Sequence, residues 1–209
     1  MSVIEKLASS LNRRDEVPNQ ELAKQIVKKK DKAAIKELIE LLNNKSKDIQ
    51  SDSIKVLYEI GEQEPSLIAE YTKNFIALLD SKNNRLQWGT MTALDSITSE
   101  NPKEIYKALP KIIKGANNGS VITKDHAVNI LIKLCASKQY EEDAFALLVE
   151  QLLNSPTNQL PMYAEKAMPI INEKNKLLFI KTLSSRLDEI EKDTKRKRVE
   201  KVIAKVKGK

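Results

Sequence analysis

The sequence predicts an all-α protein built of stacked helical hairpins, and three observations lead to this prediction. The 209 residues include only 5 Gly and 7 Pro, while Leu, Ile, Lys, Glu and Ala, which favour helix over strand, dominate. No pair of alternating apolar runs surrounds an Asn-Gly turn, as a β-hairpin would require. An apolar pattern of helical spacing returns at a fixed step along the chain. With 41% hydrophobic residues, the chain has enough apolar side chains for a sizeable core.

The repeated pattern is clearest around the single tryptophan, where residues 86–97 read LQWGTMTALDSI. Similar stretches begin 37 positions before and 37 and 74 positions after this one, and another follows after a step of 35. The first four copies have apolar or small residues at positions 1, 5, 8, 9 and 12, which form one face of a helix. The last copy keeps positions 5, 8, 9 and 12 as Val199, Val202, Ile203 and Val206. In the first four copies position 5 is small, as expected where two helix backbones approach closely; it is occupied by Ser53, Thr90, Ala127 and Ala164.

Another amphipathic stretch precedes each copy, so one repeat is predicted to be a first helix, a short polar turn and a second helix. The first helices are predicted at 33–44, 71–81, 107–118, 144–155 and 177–190. Pro65 and Pro102 hold the same place in their repeats and are expected in the first turn of the next helix, where an N–H is dispensable. We expect a single domain over 1–209, with capping helices at 1–30, repeats at 31–64, 65–101, 102–138 and 139–174, and a basic capping repeat at 175–209.

The second helices resemble those of the HEAT-repeat family, in which the sequence reads apolar-x-x-x-small-x-x-Ala-Leu-x-x-Ile. The best copies are 86–97 and 49–60, and Asp48 stands where the family often has an acidic residue. The arginine that the family has after the first apolar residue is kept only at Arg196.

Two prolines also bear on this resemblance. Pro110 fits the proline that often kinks the first helix in the family, whereas Pro169 lies in a second helix and is expected to bend it. The resemblance covers about 31–209 and implies a right-handed, armadillo-like α-solenoid of about five to six stacked hairpins. It further implies that second helices line a concave groove and that the protein is a binding scaffold.

The residues opposite the apolar face of the second helices are the candidates for binding a partner in this groove. They occupy positions 3, 7 and 10 of the pattern, with position 6 on the flank. Aromatic and methionine side chains that reach a surface are typical binding anchors. The alternative is that Trp88 and Met91 fill the gap between adjacent second helices. The predicted groove residues are Tyr58, Trp88, Met91, Asp95, Ile132 and Met162.

The basic residues are concentrated at the end of the chain. Residues 192–209 contain nine basic and two acidic residues, a difference that equals the whole net charge of +7. One interpretation is a solvated outer face of a capping repeat. The other is an electrostatic patch for nucleic acid, ribosome, anionic lipid or an acidic protein segment, without sequence-specific reading because no aromatic residue is interspersed. The predicted basic patch consists of Lys195, Arg196, Lys197, Arg198 and Lys201.

Several functional classes find no support in the sequence. A single cysteine, Cys135, excludes an internal disulfide and a multi-cysteine metal site, and His126 has no second histidine to complete a site. We find no phosphate-binding glycine loop and no catalytic triad, so we expect no enzymatic activity, no metal and no cofactor. The sequence has no signal peptide and no stretch of about 20 apolar residues, so we expect a cytoplasmic protein without a membrane span.

The sequence thus favours a non-enzymatic scaffold or adaptor that binds a protein or peptide along the concave surface. The alternative is a nucleic-acid-associated solenoid that uses the basic C-terminal helix. A remote relation to the alkylpurine DNA glycosylases, which are built from HEAT-like repeats, belongs to this alternative. Those enzymes have an aromatic residue, an acid and an arginine in a basic cleft, whereas the groove positions of the first four copies contain no arginine.

Overall fold

The computed structural model describes residues 2–208, which form α-helices and short 3-10 helices and contain no strand. The all-α prediction is therefore confirmed. The chain divides into two compact units, Met1–Ala127 and Val128–Lys209, which we call unit 1 and unit 2. The division falls within one helix, α8 (Val121–Cys135).

Unit 1 contains two helical hairpins, α2–α3 and α4–α5, in which each first helix packs against its second helix. The second helices also pack side by side, since α3 contacts both α1 and α5. A 3-10 helix at Ile4–Lys6 precedes α1, and two more at Pro65–Leu67 and Ala69–Tyr71 lead into α4. The α-helices of unit 1 are α1 (Val17–Lys29), α2 (Lys32–Leu41), α3 (Lys47–Gln63), α4 (Thr72–Leu78), α5 (Asn84–Ser96), α6 (Pro102–Lys107), α7 (Leu109–Asn118) and the beginning of α8.

Unit 2 repeats the same arrangement with the rest of α8 and four further helices. The first helices α9 and α11 pack against each other, the second helices α10 and α12 do the same, and α11 packs against α12. Two 3-10 helices, Met168–Ile170 and Leu187–Glu189, follow α10 and α11. The remaining α-helices are α9 (Glu141–Asn154), α10 (Leu160–Ala167), α11 (Lys176–Ser184) and α12 (Asp193–Lys207).

Three helices of unit 1 begin at side-chain caps in short polar turns. Oδ1 of Asp31 accepts a hydrogen bond from the backbone N–H of Ala34 at 3.0 Å, at the beginning of α2. Ser46 and Asn83 cap α3 and α5 in the same way. Each side-chain oxygen satisfies an N–H that has no partner within its own helix. Asp31, Ser46 and Asn83 thus mark the starts of these three helices.

The prolines act at helix ends as expected. Pro102 is the first residue of α6, and Pro110 lies at the second position of α7, where the first helix of that repeat is interrupted. Near Pro169 the second helix changes character, because α10 ends at Ala167 and continues as the 3-10 helix Met168–Ile170. Proline cannot donate the hydrogen bond that would continue an α-helix.

The repeated apolar positions form the core. The four small residues at position 5 are each fully buried, with 0% of their surface exposed. Leu57, Leu94 and Leu131, at position 9 of successive copies, are buried to the same degree. The faces that pack against neighbouring helices are therefore those that the repeat predicts. Their opposite faces hold the candidate site.

Candidate functional site

In unit 1, neighbouring second helices contact each other through the same positions of the repeated pattern. Position 4 of a second helix packs against position 6 or 10 of the preceding one. Gly89 of α5 lies against Ile54 and Tyr58 of α3. A Cβ atom placed on Gly89 would lie 2.9 Å from Ile54 and 3.5 Å from Tyr58. His126 of α8 contacts Asp95 of α5 in the same register.

Two aromatic rings, those of Tyr58 on α3 and Trp88 on α5, lie next to each other on the side of the second helices of unit 1 that is predicted to face the groove. We call them the aromatic pair. The ring centroids are 5.7 Å apart and the planes are tilted by 48°. This is a favourable aromatic geometry, since offset and tilted rings avoid repulsion between their electron-rich faces. Trp88 remains partly exposed, whereas Tyr58 is 6% exposed. Tyr58 therefore supports the tryptophan from below, and Trp88 presents the aromatic surface.

A buried lysine holds the other side of Tyr58. The ammonium of Lys55 lies 4.7 Å from the centroid of the Tyr58 ring, a cation–π arrangement. Its Nζ is 2.6 Å from a carboxylate oxygen of Glu59 and 2.9 Å from one of Glu16, and its side chain is 7% exposed. Burial alone would lower the pKa of Lys55, but hydrogen bonds to Glu59, Tyr58 and Glu16 outweigh it and raise the pKa. Lys55 is thus a fixed, charged support of the aromatic pair.

Glu16 connects this lysine to α5. One of its carboxylate oxygens binds Lys55 and the other accepts a hydrogen bond from Arg85. Glu16 comes just before α1, Lys55 belongs to α3 and Arg85 to α5. Three consecutive second helices are therefore joined by one carboxylate at the edge of the aromatic pair. This arrangement limits relative movement of the helices that carry Tyr58 and Trp88.

On the far side of Trp88, an acidic residue binds the single histidine. Nδ1 of His126 donates a hydrogen bond to Oδ2 of Asp95 at 2.7 Å. Their side chains are 23% and 10% exposed. Nearby, burial and the charge of Glu59 raise the pKa of Glu62. The sequence pattern does not predict this pair, because the two residues lie in neighbouring repeats, 31 positions apart. The recurring contact of position 4 with position 10 is the signal that would have found it.

Three predicted groove residues are less accessible than expected. Met91 has 0% of its surface exposed and points at α7, since its Cε lies 3.5 Å from where a Cβ of Gly115 would be. The expectation that Met91 lies on the surface is therefore wrong, because the flank of α5 is covered by the next first helix. Tyr58 is covered by α5, and Asp95, 7% exposed, is engaged by His126.

Two predicted groove residues belong to unit 2. Ile132 lies on α8 and Met162 on α10, and each is partly exposed. Beside them, Nζ of Lys166 donates a hydrogen bond to Oδ1 of Asn129 at 3.0 Å. Ile132 and Met162 therefore keep the surface that a binding role requires. Their role in binding stays a prediction.

The predicted basic patch on α12 separates into fixed and free cations. Arg196 donates from Nε and Nη2 to the carbonyl oxygen of Ile190 at 3.3 and 3.0 Å. Arg198 forms a two-pronged ion pair with Glu165, with N–O distances of 2.8 and 2.6 Å, and holds the pKa of that carboxyl below its usual range. Lys195 donates to a backbone carbonyl at 3.1 Å. Arg196 and Arg198 are therefore engaged by contacts within unit 2, and the role of the predicted basic patch stays a prediction.

Metal or thiol chemistry has no visible site in residues 2–208. No three His, Cys, Asp or Glu side chains in this range are grouped so that they would hold a metal ion. Cys135 is 6% exposed, and burial raises the pKa of its thiol to about 12. A neutral, buried thiol is a poor nucleophile. Over the same residues, no helix has both the length and the apolar character needed to cross a membrane.

Comparisons with known proteins place the fold. Two crystal structures of engineered proteins from the Northeast Structural Genomics Consortium superpose with TM-scores of 0.68 and 0.66, each at 18% sequence identity. The first alignment covers 100% of both chains, and the second covers 100% of this chain and 98% of the other. A crystal structure of computationally designed armadillo repeat proteins for modular peptide recognition matches with a TM-score of 0.69 and 14% identity over 98% of each chain.

The chain has an armadillo/HEAT-like helical repeat fold. This confirms the predicted α-solenoid class, and at these identities the likeness concerns the fold alone. No family model matches the sequence, and no curated protein matches it.

Proposed function

We propose that this armadillo/HEAT-like repeat is a non-enzymatic scaffold that binds a peptide or protein segment across the second helices. The single observation that carries the proposal is Trp88, a large aromatic side chain held partly exposed on a rigid helix. Aromatic anchors of this kind contribute a large share of binding energy, because they bury much apolar area and lose little side-chain entropy. One solved structure of the same fold is described as designed for peptide recognition, which supports this class of partner.

The surroundings of Trp88 favour a preformed surface over one that closes on its partner. Tyr58 supports the ring, and the ion pairs of Lys55, Glu16 and Arg85 join the helices beneath it. A rigid anchor saves the entropy of ordering that a mobile surface would lose on binding. In unit 2, the partly exposed Ile132 and Met162 would offer an apolar contact of their own.

The test uses short peptides selected from a random display library against the immobilised full-length protein. Trp88→Ala is expected to weaken the selected peptides by at least about tenfold, which corresponds to about 1.4 kcal/mol. Trp88→Phe should fall between Trp88→Ala and the wild type. Because Trp88 is the only tryptophan, its fluorescence should change as the peptides are titrated.

A matched control removes an apolar side chain from a first helix. Leu177 of α11 is 75% exposed, so Leu177→Ala should leave peptide affinity unchanged. Circular dichroism of all three variants verifies that they fold. If the library yields only peptides that bind the wild type and Trp88→Ala equally, the proposed role of Trp88 is wrong.

A further inference from the structure

Apart from the aromatic pair, the polar side of α12 is a surface with a distinct charge pattern. Val199, Val202, Ile203 and Val206 of this helix are between 0% and 7% exposed and face the interior of unit 2. On the opposite side, lysines follow one another at intervals of one turn, about 6 Å along the helix axis. We call these residues the lysine stripe; they are Lys197, Lys201 and Lys205.

The lysine stripe is free of the fixed contacts that engage the arginines. Within residues 2–208, its three side chains are exposed and form no ion pair, whereas Arg196 and Arg198 are held by Ile190 and Glu165. The charges of Lys201 and Lys205 add to the effect of Arg198 in lowering the pKa of Glu165, without a hydrogen bond to this carboxylate. Part of the excess positive charge of the chain is therefore displayed as exposed ammonium groups on one helix.

We propose that the lysine stripe binds the phosphate backbone of double-stranded nucleic acid without reading its sequence. Ammonium groups suit this role, because a phosphate accepts a point charge from many directions. Neutralising phosphates releases condensed counterions, and this release alone is enough for non-specific binding. Three positive charges spaced regularly along a helix are complementary to a ligand that carries closely and regularly spaced negative charges.

The composition of α12 distinguishes this ligand from the other polyanions. Single-stranded nucleic acid is held largely by bases stacked on aromatic side chains, and α12 has no aromatic residue. Stable attachment to a membrane surface also uses apolar insertion, and every Val and Ile of α12 is buried. Protein interfaces are poor in lysine and rich in apolar anchors, which disfavours an acidic protein.

The experiment measures binding of a fluorescent 20-base-pair duplex of mixed sequence to the full-length protein over a range of salt concentrations. With three phosphate contacts, log K should fall with log[salt] with a slope of about −2.7, roughly a 40-fold loss between 50 and 200 mM salt. Replacing all three lysines by glutamine (K197Q/K201Q/K205Q) should bring the slope close to zero and weaken binding at 50 mM salt by about tenfold or more. Glutamine keeps the helix propensity of lysine, so the circular dichroism spectrum should not change.

Two matched variants separate the lysine stripe from net charge. K28Q/K29Q/K30Q removes three exposed lysines of unit 1 and should bind like the wild type. K197R/K201R/K205R keeps the charges on α12 and should also bind. The proposal is overturned if the wild type does not bind duplex at 20 mM salt, or if K28Q/K29Q/K30Q loses as much affinity as the α12 variant. Tighter binding to one strand alone, or lysine-dependent binding to phosphatidylserine vesicles without binding to duplex, would overturn it equally.

Discussion

The close approach of α3 and α5 beneath the aromatic pair makes Gly89 the most informative position to perturb. A Cβ built at Gly89 would lie 2.9 and 3.0 Å from two side-chain carbons of Ile54, closer than such atoms normally pack. Gly89→Ala therefore forces α5 away from α3 or drives Ile54 into a worse rotamer. Either change disturbs Tyr58 and Trp88, which are held by the same two helices.

The expected magnitude is the difference between two opposing effects. Alanine in the interior of a helix is more stable than glycine by about 1 kcal/mol. Overpacking a well-packed contact costs about 1–3 kcal/mol. The packing cost should prevail, so Gly89→Ala is expected to lower the free energy of unfolding by about 1 kcal/mol.

Gly115 supplies the matched control. It also lies within a helix, α7, but a Cβ there would meet only Cε of Met91 at 3.5 Å, an ordinary contact. Gly115→Ala should therefore stabilise the protein by about 0.5–1 kcal/mol. Urea denaturation measures both variants, and Trp88 fluorescence reports whether the aromatic pair has moved. Stabilisation of Gly89→Ala equal to that of Gly115→Ala would refute the close approach that we infer.

Three further predictions concern single residues. The side chain of Arg186 is 7% exposed and donates to the carbonyl oxygens of Leu152 and Ser155 at 2.7 and 3.0 Å. Arg186→Met should therefore lower the free energy of unfolding, measured by urea denaturation, by about 3 kcal/mol. A decrease of less than about 1 kcal/mol would contradict this. The Cys135 thiol, with its pKa raised to about 12, should react with a disulfide reagent at pH 8 roughly 1,000-fold more slowly than in urea, and equal rates would show that it is accessible. Removing the helix cap by Asp31→Ala should cost about 1 kcal/mol in thermal unfolding, whereas Asp31→Asn, which keeps an acceptor, should cost much less.

Much of the fold was predictable because the signals are local. The helix pattern, the polar turns and the caps each depend on residues a few positions apart, and a period of 37 makes every signal recur. Thr90 and Ala127 illustrate this, since a small side chain at a repeated apolar position predicts a buried contact between helix backbones and both residues are buried.

The site was less predictable because surface exposure on a second helix depends on its neighbours. Met91 shares a face with residues that reach solvent, yet α7 covers it completely. The sequence around Arg198 indicates a free cation, but the carboxylate of Glu165, 33 residues earlier, forms an ion pair with it. Charge counting along the chain does not reveal which cations are already neutralised.

The residue pattern specifies that this chain folds into repeated helical hairpins and which face of each helix is buried. The distance and rotation between consecutive second helices depend on contacts between repeats, such as those of Gly89 with Ile54 and His126 with Asp95. These contacts join residues more than 30 positions apart, and a helical pattern specifies a face without specifying how far away the next helix lies. For this reason the repeated apolar positions of the core were predictable from the sequence. The partial exposure of Trp88 and the absence, among the residues that the structure describes, of ion pairs at the lysine stripe became clear only from the contacts between helices.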